Sequence, residues 1–265
     1  TQENDAKDMK IRRVGIYGTA NIIKYTPSHV KIIFPSTHVV FEGLSETKEN
    51  LTEEDNAKPA LTYAMGKLES ETDLQLSGKN FVILRLASVY GYSGDSTRMN
   101  IMPNLFSKIA SQNGTIGLFS GGVQMKSLVA LMDVVRCMKF MAQRQDISKE
   151  IFHLSNESMT VRQVAEICNQ INPKVELFET DDEIPNKGYT ISNQKLLDTS
   201  FEFKYNIKDC ISEMIQNWST KELREELEYT IQGKDNFVDE RGHISNYELP
   251  EPINLIGYIE SKEGT

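Results

Sequence analysis

The chain has 265 residues, 39% of them hydrophobic and 25% charged, which suits one large or two modest globular domains. Its formal net charge of −9 argues against surfaces for nucleic acid or anionic membranes, because such surfaces need clustered Lys and Arg. The cysteines, Cys137, Cys168 and Cys210, are widely spaced and form neither a disulfide framework nor a zinc motif. No apolar run approaches about 20 residues, so we expect a cytoplasmic protein that acts on small molecules.

The first part of the chain alternates between helix and strand patterns. A helix is predicted from Val14 to Thr26, and a β-branched strand follows in VKIIFPSTHVVF, residues 30–41. A polar, acidic surface loop is predicted at 44–60, then a helix at 61–76 and a strand at 80–91. Such alternation predicts βαβ units and a parallel sheet that is covered on both faces.

The remainder has shorter elements and then changes character. Helices are predicted at 100–112, 131–143, 158–171, 192–199 and 206–218, and strands at 115–119, 125–129 and 174–179. Thr160 and Gln163 form a capping box at the start of one helix. Residues 219–234 are predicted to be a helical linker, whereas 235–265 has the alternation and prolines of a short β-rich tail.

Tyr63 and Lys67 are the first candidates for chemistry. On a helix, positions i and i+4 share a face, so the ammonium can approach the phenol and favour the phenolate that a general base needs. This spacing also arises by chance, and a second pair, Tyr258 and Lys262, lies in the strand-like tail, where the two side chains are too far apart to act together. A simple surface pair is the competing interpretation of Tyr63 and Lys67.

The neighbouring elements favour the chemical interpretation. Ser36 and Thr37 lie towards the end of a predicted buried strand, and the strand at 80–91 also ends in small and hydroxyl residues. Because the carboxyl ends of parallel strands meet at one edge of a sheet, we expect hydroxyl, phenol and ammonium groups at the edge where such sheets bind ligands.

The chain resembles the extended short-chain dehydrogenase/reductases, the NAD-dependent nucleotide-sugar epimerases and dehydratases. The similar segments follow that family's order: GTANIIKY, PSTHVVFEG, YAMGKLESE, LRLASVYG, GGVQMKSLVALMDVVR and IFHLSNESMTVRQVAEI. The resemblance spans roughly residues 12–218. It implies an α/β fold with a partial Rossmann-like parallel sheet and a small α/β substrate-binding region. It also implies a nucleotide-sugar substrate and NAD or NADP as cofactor, and it is compatible with a homodimer.

The resemblance also assigns roles to individual residues. It implies that Tyr63 is the acid/base, that Lys67 holds the nicotinamide ribose, and that Thr37 binds the reacting sugar hydroxyl. Ser36 falls on the cofactor side. Ser88 and Lys126 fall on the substrate side, and Lys126 stands where the family usually has an Arg facing the phosphates; a lysine supplies only a point charge there.

Two positions depart from the dehydratase pattern. Where dehydratases of the family have acidic residues directly after the strand-end Thr, this chain has His38 and Val39. We therefore favour epimerisation or keto-sugar reduction over 4,6-dehydration, which stays open as a competing reaction. We interpret His38 as a strand residue packed under a loop, with a catalytic role as the competing interpretation. The scattered histidines predict no metal site.

Non-enzymatic functions also compete with the enzyme hypothesis. One is a catalytically inactive binding or regulatory protein that keeps the fold, although the joint presence of Thr37, Tyr63 and Lys67 weighs against it. Another is an interaction module that uses the acidic helix predicted at 219–231, a charge pattern that a solvated helix explains equally well.

The stretch VGIYGTAN mimics a cofactor loop. Gly15, Gly18 and Asn21 nearly complete a glycine fingerprint, but the segment matches the family's later GT-x-N helix. The fingerprint is absent ahead of residue 12, so domain 1–218 is expected to begin midway through the nucleotide-binding half. Residues 235–265 resemble the opening strands of a cupin-type sugar-nucleotide epimerase domain.

Overall fold

The computed structural model describes residues 9–44, 48–181 and 188–219, followed by three strands. Its helices are α1 (Met9–Tyr25), α2 (Thr62–Leu76), α3 (Met102–Ser111), α4 (Leu131–Gln143), α5 (Val161–Ile171), α6 (Gln194–Leu197) and α7 (Ile207–Ser219). Its strands are β1 (Lys31–Thr37), β2 (Asn80–Leu86), β3 (Ser88–Tyr90), β4 (Thr115–Phe119), β5 (Met125–Ala130), β6 (Glu150–Leu154), β7 (Glu157–Thr160), β8 (Glu176–Thr180), β9 (Gln232–Asp239), β10 (Gly242–Glu248) and β11 (Leu255–Ser261). The alternating order confirms the predicted α/β class.

The first sheet is parallel and has the order β1-β2-β6. Along β2, Val82 and Leu84 belong to the cluster that includes α4, whereas Phe81 and Ile83 pack with Leu74 of α2. Successive side chains of a strand point to opposite faces, so helices cover both faces of this sheet, as predicted.

The other strands form smaller sheets. β3 pairs in parallel with β5, which pairs antiparallel with β7, and β4 pairs in parallel with β8. A second large apolar cluster lies here, built from the helices α3, α5 and α7 and the strands β3, β4 and β5. α5 starts at the predicted capping box, in which the Thr160 hydroxyl accepts from the Gln163 N–H at 3.1 Å. Within the described ranges, no helix combines the length and the apolar character needed to cross a membrane.

The tail strands form an antiparallel sheet in the order β11-β10-β9. This agrees with the β-structure predicted there, although β9 begins at Gln232, inside the segment predicted as a linker. The helix predicted at 219–231 lies, beyond Ser219, outside the described residues. The cupin resemblance stays a prediction.

One predicted strand ends earlier than expected and another is interrupted. The strand predicted at 30–41 ends at Thr37, because the Thr37 hydroxyl accepts from the Val39 N–H at 3.2 Å and starts a single 3-10 turn, His38–Phe41. The strand predicted at 80–91 is interrupted at Ala87, whose N–H donates to the Leu154 carbonyl at 3.0 Å. The prediction of continuous strands was wrong at both places, and both breaks lie at the carboxyl edge of the sheet.

Two further predictions need correction. The loop at 44–60 is not wholly on the surface, since Leu51 is buried and its N–H donates to the Thr190 carbonyl at 2.9 Å. α1 begins five residues before Val14, so Gly15 and Gly18 lie inside it, and the Thr19 hydroxyl donates to the Gly15 carbonyl at 2.9 Å. VGIYGTAN is therefore helical, as predicted, and only the predicted start of the helix was wrong.

Candidate active site

A cavity of about 850 Å³ lies at the carboxyl edge of β1 and beside β3, a size typical of small-molecule sites. Its wall includes a set of polar and charged residues: Ser36, Thr37, His38, Glu42, Tyr63, Ser88, Arg98, Asn104, Lys126 and Tyr189. The structure thus brings together every predicted site residue except Lys67, which lies just behind Tyr63.

The first two turns of α2 position Tyr63 and Lys67. The Lys67 ammonium lies 5.9 Å from the centroid of the Tyr63 ring and donates to the Pro35 carbonyl at 2.8 Å. Burial lowers the pKa of Lys67, and the nearby Glu71 carboxylate opposes that shift. Tyr63 is 37% exposed. A phenol thus faces the cavity with a fixed positive charge behind it.

A buried ion pair holds the end of β1. Glu71 and Arg85 are 0% and 5% exposed, and the guanidinium donates to the carboxylate through Nη2 at 2.8 Å and through Nε at 3.2 Å. The buried Ser36 hydroxyl donates to the other Glu71 oxygen. Thr37, the next residue, uses its oxygen to cap the 3-10 turn, and its O–H has no acceptor within the described part of the chain. That hydroxyl is available to a ligand.

Two opposite charges stand further along the wall. Burial raises the pKa of Glu42 and lowers that of Lys126, and each shift is opposed by the other residue's charge. Glu42 Oε2 is buried and has no hydrogen-bond partner among the described residues. An unpaired buried acceptor is costly, which agrees with the raised pKa of this carboxyl.

Two histidines near the site are held neutral. Burial is the main cause that lowers the pKa of His38 to about 3 and that of His153 to about 4, with Lys126 and Arg85, respectively, as the next contributors. The unfolded chain binds a proton at each below its ordinary pKa of about 6.5, whereas the folded chain does not. Both groups therefore stabilise the fold fully above pH 6.5 and lose that contribution as the pH falls towards these lower values.

Between pH 6.5 and 5 we expect the free energy of unfolding to fall by about 1.4 kcal/mol per pH unit for each such histidine at most. Urea denaturation across this range measures the slope. His153→Gln is expected to reduce this slope by the contribution of one histidine. His29→Gln, at an exposed position, should leave the slope unchanged. Equal slopes in all three proteins would contradict the assignment.

The sequence did not predict Glu42, Arg98 or Tyr189 as wall residues. Glu42 stands at the end of the 3-10 turn, and a straight strand would have carried it away from the cavity. Tyr189 belongs to no predicted element and reaches the wall from a distant part of the chain. Of these three residues, only Glu42 could have been suggested by nearby sequence, because it lies in the segment PSTHVVFEG shortly after the hydroxyl residues Ser36 and Thr37.

The comparisons with known proteins identify the family of the chain. The family model described as the RmlD substrate binding domain matches residues 2–189. The chain belongs to this family. This match confirms the predicted resemblance to the extended short-chain dehydrogenase/reductases, and solved epimerases and dehydratases share the fold. No curated protein matches the chain in sequence.

Several solved structures resemble this RmlD-family chain. UDP-glucose 4-epimerase from Thermotoga maritima with UDP-glucose aligns with a TM-score of 0.71 and 20% identity, covering 86% of this chain and 74% of its own. RMD from Pseudomonas aeruginosa complexed with NADPH aligns with a TM-score of 0.72 and 14% identity, covering 83% of this chain and 78% of its own. dTDP-glucose 4,6-dehydratase from Bacillus anthracis in complex with NAD aligns with a TM-score of 0.64 and 18% identity, covering 78% of this chain and 68% of its own. At these identities the likeness establishes the fold.

Proposed function

We propose that this chain is a nucleotide-sugar epimerase or keto-sugar reductase that depends on NAD or NADP and uses Tyr63 as its acid/base. The observation that carries the proposal is the convergence of Thr37, Tyr63, Ser88 and Lys126 on one cavity. Its volume of about 850 Å³ lies within the usual range of small-molecule sites. Similar proteins supply the precedent, because they bind UDP-glucose, NAD or NADPH.

Lys67 fits the ribose of a nicotinamide cofactor. An ammonium has three donors, and the Pro35 carbonyl takes one of them at 2.8 Å. The remaining donors suit the two ribose hydroxyls, next to the cavity edge at Tyr63. When bound there, the nicotinamide supplies hydride transfer to and from the sugar carbon.

The residues of the chain then handle the proton and the orientation. The Tyr63 phenolate takes the proton of the reacting sugar hydroxyl as it becomes a ketone, or the phenol returns it in the reductive direction. The Lys67 charge favours the phenolate. The Thr37 O–H donates to the same sugar oxygen and orients it.

Charge on the wall favours a diphosphate. Lys126 is half-buried and Arg98 exposed, so the cavity wall carries two cations against the one carboxyl of Glu42, in a chain whose net charge is −9. A partly desolvated lysine ammonium forms its strongest hydrogen bonds with a negatively charged acceptor such as a phosphate. We assign Lys126, with Arg98, to the phosphates of the nucleotide, and Ser88 to the sugar.

One observation keeps 4,6-dehydration as a second candidate. Dehydration needs an acid beside the leaving hydroxyl, and His38 and Val39 supply none. The carboxyl of Glu42 nevertheless lines the same cavity with a raised pKa. Product analysis by NMR distinguishes the reactions, because only dehydration yields a 6-deoxy-4-keto sugar.

The binding assignment is tested by Lys126→Met, which keeps an unbranched side chain of similar length and removes the charge. We expect the affinity for UDP-glucose or dTDP-glucose to fall about 10- to 100-fold, as for the loss of a hydrogen bond to a charged group. Titration calorimetry measures it. Lys174→Met, at an exposed position on another part of the surface, is the matched control. Equal affinities of Lys126→Met and wild type would contradict the assignment.

A further inference from the structure

The cavity wall contains a hydrogen-bonded pair, His38 and Tyr189, that the proposed chemistry does not use. The Tyr189 hydroxyl lies 3.0 Å from His38 Nδ1 and 2.9 Å from the His38 carbonyl oxygen. The rings pack at 5.5 Å between centroids. Both side chains line the cavity.

The two contacts of Tyr189 fix the proton of the imidazole. A phenol has one hydrogen, and a carbonyl oxygen only accepts, so that hydrogen goes to the His38 carbonyl. Towards Nδ1 the phenol oxygen is then the acceptor, and Nδ1 must carry the hydrogen. Burial lowers the pKa of His38 to about 3, so the ring is neutral near pH 7 and has a single N–H. Nε2 is therefore a bare lone pair.

Nε2 is poorly used by the protein. Its neighbour is the Ser88 hydroxyl at 3.5 Å, well beyond the usual length of a strong hydrogen bond. Ser88 and His38 both line the cavity, so this contact lies at the cavity wall. A lone pair in this position can accept a hydrogen bond from a sugar hydroxyl. A deoxy carbon at the same place has no hydroxyl hydrogen to donate, so that hydrogen bond is lost.

We propose that His38 Nε2 accepts a hydrogen bond from a hydroxyl of the bound sugar, so that His38 selects hexoses that carry this hydroxyl over their deoxy analogues. Tyr189 acts through His38, as the positioning residue that holds Nδ1–H and keeps Nε2 free. The proposal rests on the proposed function, because it names a feature of the same substrate. It also replaces the interpretation of His38 as a packing residue.

The binding test compares sugars that differ by one hydroxyl. Wild type, His38→Asn and His29→Asn are titrated with UDP-glucose, dTDP-glucose and their 2-, 3-, 4- and 6-deoxyglucose counterparts. For one deoxy position we expect wild type and the exposed-site control His29→Asn to lose about tenfold in affinity, the value of one hydrogen bond. Asn can keep the link to Tyr189 but has no atom at Nε2, so His38→Asn should lose that discrimination.

A second measurement needs no sugar. The ¹⁵N shifts of the His38 ring nitrogens in the wild-type chain should show Nδ1 protonated and Nε2 bare, and Tyr189→Phe should shift this balance towards Nε2–H. A wild-type ring protonated at Nε2 overturns the proposal, and so does binding of all deoxy sugars as tightly as their parents. If wild type binds neither parent sugar, the proposed function falls together with this one; if it binds them without discrimination, only the role of His38 falls.

Discussion

Tyr63→Phe is expected to lower the turnover of a nucleotide sugar by about 10²- to 10⁴-fold, the range for loss of a general acid/base. The change removes one hydroxyl and leaves a ring of the same shape beside the Lys67 ammonium. Turnover is to be assayed in the presence of NAD or NADP. Affinity for the nucleotide sugar should change little, because the proposed binding residues Lys126 and Ser88 are untouched.

The matched control is Tyr17→Phe. Tyr17 lies on α1, is 60% exposed and is outside the cavity. Its variant should retain wild-type turnover and wild-type affinity. If Tyr63→Phe turned over like this control, Tyr63 would not be the acid/base, whatever its position in the wall.

Glu71→Gln is expected to lower the free energy of unfolding by about 3–5 kcal/mol, the cost of breaking a buried ion pair from one side. Glutamine keeps the shape of the side chain and removes its charge. Arg85, 5% exposed, would then be a buried cation without a counterion, and Ser36 would lose a charged acceptor. Urea denaturation at pH 7 gives the difference directly.

Two comparisons sharpen this prediction. Glu54→Gln changes an exposed carboxylate and should stay within about 0.5 kcal/mol of wild type. Replacing both partners, Glu71→Leu with Arg85→Leu, removes the two charges together and should cost much less than the sum of the single replacements. A cost below about 1 kcal/mol for Glu71→Gln would mean that water reaches the pair and that it does not hold the end of β1.

Local patterns predicted the elements that carry the candidate site. The i,i+4 spacing placed Tyr63 and Lys67 on one helix face, and the capping box at Thr160 marked the start of α5. The hydroxyls at Ser36 and Thr37 were correctly placed at the carboxyl edge of the parallel sheet. These features depend on residues close together in the chain, whose backbone geometry is nearly fixed by helix and strand periods.

Tertiary structure alone decided what completes the cavity. Glu71 pairs with Arg85 from another element, and Tyr189 meets His38 across 151 positions of sequence. The 3-10 turn after Thr37 brings Glu42 to the wall, against the prediction of a continuing strand. Even the protonated nitrogen of His38 follows from a distant phenol. Such contacts depend on how elements pack and on which hydrogen bonds remain unmet after packing, and no spacing along the chain encodes either.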